Sequence, residues 1–304
     1  MQKQLAGAAV LFFLITQQAK AQKGIEKLIA TEKSFAAAAL KTNTRGAFMA
    51  FMDSTEAVVF NNGQIVDAFA KWSNTVADTT KLIWQPAYAG LAQSGELGFT
   101  TGPWQFKNNL QGSTVAAGSF ATIWNLDKNG NWKFLVDIGT DCPTEIPYTV
   151  DSVKKWVGNT IDDLDTKDAL TIDRIFIQQY AAIKNDAFKA VVTENSWFNL
   201  QGQAPIKGTQ NILAKLGQIP AGLNFNPLGG GISASSDFAY VYGTVRREAK
   251  IANYLRVWQK SGDKYSLLLQ TLQWYFEGLP TDGHWDECTA CWHSSISKST
   301  VDEV

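Results

Sequence analysis

The sequence predicts an α+β protein made of two tandem copies of one small domain. Three observations carry this: residue blocks that recur in one order at nearly one spacing, a helix-period pattern opening each copy, and four alternating runs closing it. Ser94-Gly95-Glu96-Leu97-Gly98-Phe99-Thr100-Thr101-Gly102 returns as Ser235-Ser236-Asp237-Phe238-Ala239-Tyr240-Val241-Tyr242-Gly243. Phe120-Ala121-Thr122-Ile123-Trp124 returns as Tyr254-Leu255-Arg256-Val257-Trp258. Each is followed by a polar turn and an aromatic-led apolar run, Trp132 to Ile138 and Tyr265 to Leu272. Ala47-Phe48 matches Ala187-Phe188 upstream.

The first copy opens with a helical pattern from Ile25 to Leu40 and a shorter one from Arg45 to Met52. A strand from Ala57 to Phe60 enters the Asn62-Gly63 turn, and a short helix follows from Ile65 to Trp72. Four strand-like runs come next: Lys81 to Ala89, Leu97 to Phe106, Thr114 to Trp124 and Trp132 to Ile138. Their period-2 alternation and Gly/Asn turns mark antiparallel hairpins. The second copy repeats this from Ala169 to Tyr180, Ala187 to Val192, Ser196 to Leu200 and Gln210 to Leu216, then four strands ending near Tyr275. Helices first and a meander afterwards imply helices covering one face of a curved sheet. The predicted boundaries are 24–139 and 168–275, with a linker at 140–167 and a tail at 276–304. The linker carries Pro143, Pro147 and an acidic cluster at Asp162, Asp163 and Asp165, with one helical turn expected around Val153 to Val157.

Residues 1–21 read as a secretory signal peptide. Lys3 gives a positive start, Leu5 to Ile15 form a short apolar run, and Ala19-Lys20-Ala21 is a small-x-small cleavage site. No other run is apolar and long enough for a membrane anchor, so the expected location is periplasmic or extracellular. Export permits disulfides, but the chain has only Cys142, Cys288 and Cys291, too few for a disulfide framework. A net charge of −1 and dispersed Lys and Arg give no reason to expect nucleic acid as a partner. Charged residues make up 18% of the chain, against roughly 25% on average. Its 11 Trp and 17 Phe point to aromatic-rich packing or an aromatic-lined cavity.

In this order of elements the chain resembles the NTF2-like superfamily and, more narrowly, its secreted DUF4440 or SnoaL-like group. The matching marks are Glu32 and Phe35 in the first helix, Ala47-Phe48 and then Asp53, and the run from Ser94 to Pro103-Trp104. Ile123-Trp124 and the run from Trp132 to Gly139 complete them. The resemblance implies a cone in each copy, a bent sheet wrapped on its first helix with a cavity at the open end. Members include isomerases, cyclases, dehydratases, ligand binders and dimerisation modules, so the site must decide the function. Paired domains of this kind associate through their sheets, which implies an internal pseudo-dimer.

Isomerases and cyclases on such a fold need a base and an oxyanion donor. His284 and His293 both lie in the tail, so the base would be Asp53, Glu56 or Asp137. Asp53 also suits a capping role at the entry to the first strand. Asp137 shares a predicted strand face with Lys133 and Leu135; its counterpart is Gln270, so at most the first copy is active there. The candidate ligand-binding residues are Trp104, Trp124, Tyr240, Tyr242, Tyr254 and Arg256. An aromatic row with Arg256 would suit a carboxylated or aromatic ligand. The alternative is that the aromatics fill cores and interfaces while Arg256 is a surface charge. Arg256 is expected to look into the second cone as its chief anion-binding group, or to meet a carboxylate such as Glu248. Trp84, Tyr88 and Trp104 either bound a cavity mouth or bury a contact between sheets. In the tail, His284, Cys288, Cys291 and His293 lack the usual spacing of zinc ligand pairs, and a Cys288–Cys291 bridge competes for the sulfurs. Gly229-Gly230-Gly231 lacks the Lys and following helix of a phosphate loop. No metal or cofactor is expected. The leading reading is an exported binder of a small apolar or aromatic ligand or of a protein partner; the alternative is a cofactor-free isomerase, cyclase or dehydratase using a carboxylate.

Overall fold

The structure, a computed structural model, describes residues 23–61, 63–77, 79–142, 150–159 and 168–274. The expected signal peptide at residues 1–21, the linker acids Asp162, Asp163 and Asp165, and the tail cluster from His284 to His293 lie outside them.

Helix α1 covers residues 23–41, and α2 spans Thr44–Phe51, its first turn held by the Asn43 side chain accepting from the Gly46 amide. On α1, Ile25, Leu28, Ile29, Glu32, Phe35, Ala36 and Ala39 are buried, the spacing of one helix face. Strands β1 (Val58–Asn61) and β2 (Gln64–Asp67) lead to α3 (Ala68–Ser73), capped by Asp67. Then come β3 (Lys81–Trp84), β4 (Tyr88–Leu91), β5 (Leu97–Lys107), β6 (Thr114–Leu126), β7 (Trp132–Asp141) and β8 (Lys154–Val157). They form one sheet in the order β2-β1-β7-β6-β5-β4-β8, with β3 paired to β5. The second half runs α4 (Ala169–Ile183), a 3₁₀ segment Lys184–Ala190, β9 (Val192–Leu200), β10 (Ile206–Lys207) and α5 (Thr209–Lys215). It closes with β11 (Asn224–Ile232), β12 (Phe238–Arg247), β13 (Lys250–Ser261) and β14 (Lys264–Leu272), in sheet order β10-β9-β14-β13-β12-β11. The α+β class holds: each sheet carries helices on one face.

Several expectations need correction. The helix expected from Ile65 starts only at Ala68, because Gln64–Asp67 pair with β1 as a strand after the turn. The run from Lys81 to Ala89 is not one strand, because it breaks at Gln85-Pro86-Ala87 into β3 and β4. Pro86 has no amide to give the ladder, and Gly102 opposite leaves no room for a Cβ beside the Gln85 carbonyl. Around Val153 to Val157 the chain forms β8 rather than a helical turn, parallel to β4, with Trp156 buried beneath it.

The recurring blocks occupy equal places in the two sheets. Gly102 pairs with Phe120 and Gly98 with Trp124; Gly243 pairs with Tyr254 and Ala239 with Trp258. Both third hairpins carry a bulge at one position, between Ile123 and Trp124 and between Val257 and Trp258. Past the bulges Thr122 pairs with Asp137, and Arg256 with Gln270. The first bulge also corrects the face of Asp137. Leu135 turns to the outer face of the sheet, whereas Asp137 turns inward with Phe134.

The outer faces of the two sheets pack on each other. Tyr88 stacks on Trp197 (5.7 Å between ring centres), Phe99 on Phe238 (6.2 Å), and Phe60 meets Tyr242 edge-on (6.1 Å). Within this apolar layer Asn199 Nδ2 donates to Thr101 Oγ1 at 2.9 Å, which fixes the register of one sheet over the other. At the turns the contact is reciprocal. The Ser94 amide donates to Ser235 Oγ (3.0 Å) and the Ser235 amide to Ser94 Oγ (3.1 Å). The Gln93 amide reaches Asp237 Oδ2 (3.0 Å), and the Ala234 amide reaches Glu96 Oε1 (2.7 Å). Residue i meets j where j meets i, the signature of a two-fold relation.

Candidate functional site

The inner face of each sheet closes on an acid from its first helix. In the first half this is Glu32, fully buried and three residues before Phe35. It accepts from Trp84 Nε1 (2.6 Å), Thr100 Oγ1 (2.5 Å) and Trp124 Nε1 (3.1 Å). Burial raises its pKa, against the pull of those three donors. A second acid, Asp137, comes in from β7 and accepts from Thr122 Oγ1 at 2.8 Å. Burial pushes Asp137 up to about 7, with Thr122 opposing the shift and the nearby Glu32 adding to it. Beside Asp137 lies a cavity of about 20 Å³, walled by Phe35, Phe48, Leu82, Trp84, Trp104 and Phe120. That space holds about one water molecule. Trp104 is buried in the wall, and among the described residues its indole N–H has no hydrogen-bond partner.

In the second half the corresponding acid is Asp173, three residues before Phe176 on α4 and fully buried. Trp258 Nε1 donates to it (3.2 Å), as Trp124 does to Glu32, and Tyr254 Oη donates at 2.8 Å. The difference is Arg256. Its Nη1 forms an ion pair with Asp173 at 3.0 Å, and its Nε donates to Gln270 Oε1 at 2.7 Å. The guanidinium lies over the rings of Phe225 (4.1 Å), Phe176 (4.5 Å) and Tyr254 (4.6 Å).

The six sequence-derived ligand residues therefore do not form one pocket. Trp104 and Trp124 belong to the first inner core, and Tyr254 and Arg256 to the second. Tyr240 and Tyr242 stand on the opposite face of the second sheet, in the layer between the halves. Arg256 does face inward, but as the fully buried partner of Asp173 rather than as an open anion site or a partner of Glu248. Nor is it a surface charge. Trp84 and Trp104 line the first cavity, whereas Tyr88 goes to the inter-sheet layer. The Asp53 carboxylate accepts from the Thr55 hydroxyl and amide and the Glu56 amide. Partial burial pushes its pKa up, but these bonds outweigh it and hold the group below its ordinary value. Asp173 went unnamed in the sequence reading, although an acid three residues before Phe recurs at Glu32/Phe35 and Asp173/Phe176.

No family model matches the chain, and no curated protein matches it. Solved structures share a fold with part of it. An NTF2-like protein of unknown function from Pseudomonas putida KT2440 is 12% identical, covering 36% of this chain and 93% of its own, with a TM-score of 0.29. Nuclear transport factor 2 from Cryptosporidium parvum is 16% identical over 35% of this chain and 94% of its own, TM-score 0.29. A ketosteroid isomerase-like protein from Erwinia carotovora atroseptica is 14% identical over 34% and 90%, TM-score 0.28.

Proposed function

We propose that the chain is an exported pseudo-dimer of two NTF2-like domains in which only the first domain keeps a ligand site. The observation that carries this is the contrast between the two inner faces. One holds a cavity beside a carboxylate with a single donor; the other is filled by an arginine bonded to its own acid. The equal registers, the matched bulges and the reciprocal Ser94 and Ser235 contact support the pairing of two domains. The ligand is small and polar on at least one side, because Asp137 and the unpaired Trp104 N–H both await a partner. In this reading the second domain is a scaffold, and the layer of aromatic residues between the sheets belongs to the pairing, not to a ligand.

The site reading is tested by following the indole N–H signals of Trp84 and Trp104 by NMR. Probes of two to four heavy atoms (methylammonium, guanidinium, urea, acetate) are added in turn. At least one should move both signals while leaving Trp258 unmoved. If none does, the cavity is only a packing defect and the binding reading fails. The export reading is checked by mass spectrometry of the secreted protein, which should begin at Gln22; an intact Met1 in that fraction refutes it.

A second reading has one observation in its favour. Asp137, held up to about 7, suits a general base working near neutral pH. A cofactor-free isomerase, cyclase or dehydratase would need the cavity to open well beyond the size of one water. Deuterium exchange at an acidic C–H of a small ketone, lost in Asp137→Asn, would favour it over simple binding.

A further inference from the structure

We propose that the ligand of the first-domain cavity is a small nitrogenous cation of the ammonium or guanidinium type, with Asp137 as its counter-charge. This rests on the reading of that cavity as a ligand site and names the class of molecule it takes.

The second domain displays the chemistry. There a guanidinium, that of Arg256, sits among three aromatic rings and is held by Asp173 and Gln270. Strand pairing maps this cage onto the first domain. Trp104 and Val245 take equal places, which sets Trp84 against Phe225. Phe120 stands where Tyr254 stands, and Asp137 where Gln270 stands. On the helices, Phe35 follows Glu32 as Phe176 follows Asp173. Phe35, Trp84, Phe120 and Asp137 all line the first cavity. The aromatic walls are thus retained, while Arg256 is replaced by Thr122 and the neutral Gln270 by an acid.

That exchange leaves a specific deficit. The inner face of the first domain holds two buried acids, Glu32 and Asp137, where that of the second holds Asp173 alone, and among the described residues no Lys or Arg lines the first cavity. Glu32 is already served by three donors. Among the described residues Asp137 has Thr122 alone as a donor, and it is the acid that reaches the cavity. A cation there would lie against aromatic faces and beside a carboxylate, two attractions that strengthen where water is excluded. Ammonium fits a space the size of one water as it stands, and guanidinium requires the wall to relax. The rival class is a neutral acceptor such as urea, whose oxygen would answer the unpaired Trp104 N–H.

The test uses the full mature chain at pH 8, with ammonium, methylammonium and guanidinium chlorides at about 10 mM, and sodium chloride, urea and sodium acetate as controls. The cations should raise the thermal midpoint and shift the Trp84 and Trp104 indole signals more than any control does. The response should weaken at pH 5 and fall at least about tenfold in affinity in Asp137→Asn. If urea or acetate shifts the signals and the cations do not, the cation assignment is overturned while the site itself stands. If no probe shifts them, both fall. A cation response undiminished in Asp137→Asn also overturns the assignment, since the charge would then be met elsewhere.

Discussion

Replacing Arg256 with methionine should destabilise the protein by about 3–5 kcal/mol at pH 7, the cost of leaving one partner of a buried ion pair alone. Methionine keeps much of the packing of the stem, so the loss isolates the charge. Asp173 would retain Tyr254 Oη and Trp258 Nε1 as donors but lose its only cation, and Gln270 would lose the Nε–H it now accepts. Combining Arg256→Met with Asp173→Leu should recover much of the loss, since a buried pair exchanged for apolar groups is often neutral or better. Urea unfolding of the parent, both single variants and the double closes the cycle. A loss below about 1 kcal/mol in Arg256→Met would mean that water reaches the guanidinium, and the second domain would then not be the closed core described above.

The same pair shows where a sequence reading stops. The repeat is legible because alternation and turn residues recur at equal spacing, and such patterns set strands and hairpins directly. The faces are less so. Period-2 alternation places Arg256 with Tyr254 and Trp258, correctly, because the extra residue of that hairpin, Leu268, lies in β14 and β13 itself runs without interruption. It misplaces Asp137 with Leu135, because one extra residue in β7 reverses the alternation between them. Tyr240 and Tyr242 also look like companions of Arg256, yet Tyr240 pairs with Val257 and Tyr242 with Leu255, which places them on the other face. Which face is inner is decided by the first helix, through Glu32 and Asp173. An isolated acid in an amphipathic helix carries no mark of burial until its Trp donors are seen in space.

The two inner faces also answer one problem in different ways. Each Trp on the third long strand, Trp124 or Trp258, directs its N–H at a helix acid, so each half must accommodate a buried carboxyl group. The second half does so with a fixed cation. The first does so with neutral donors, Trp84, Thr100 and Trp124, and adds a second carboxyl group beside the cavity. Its stability should therefore depend on pH through these two acids.

Asp137→Asn should remove most of that dependence. Folding raises the pKa of Asp137 from 3.8 to about 7, chiefly through burial. A raised carboxyl pKa means that the folded state holds the proton more tightly. Its contribution is complete below about pH 4 and is lost as the pH rises through about 7. At about 1.4 kcal/mol per pKa unit, the whole span is worth up to about 4 kcal/mol. The parent should thus lose stability steadily between pH 4 and 7, while the asparagine variant, still able to accept from Thr122, should not follow it. The two should unfold at similar urea concentrations near pH 4, and the variant should be clearly the more stable at pH 8. Glu32, also raised, titrates in the same direction and leaves some slope in both proteins. Parallel curves from pH 4 to 8 would show that Asp137 is hydrated in the folded state. Addition of a small cation at pH 8 should close the gap from the parent's side alone, because only the parent has a carboxylate for it to meet.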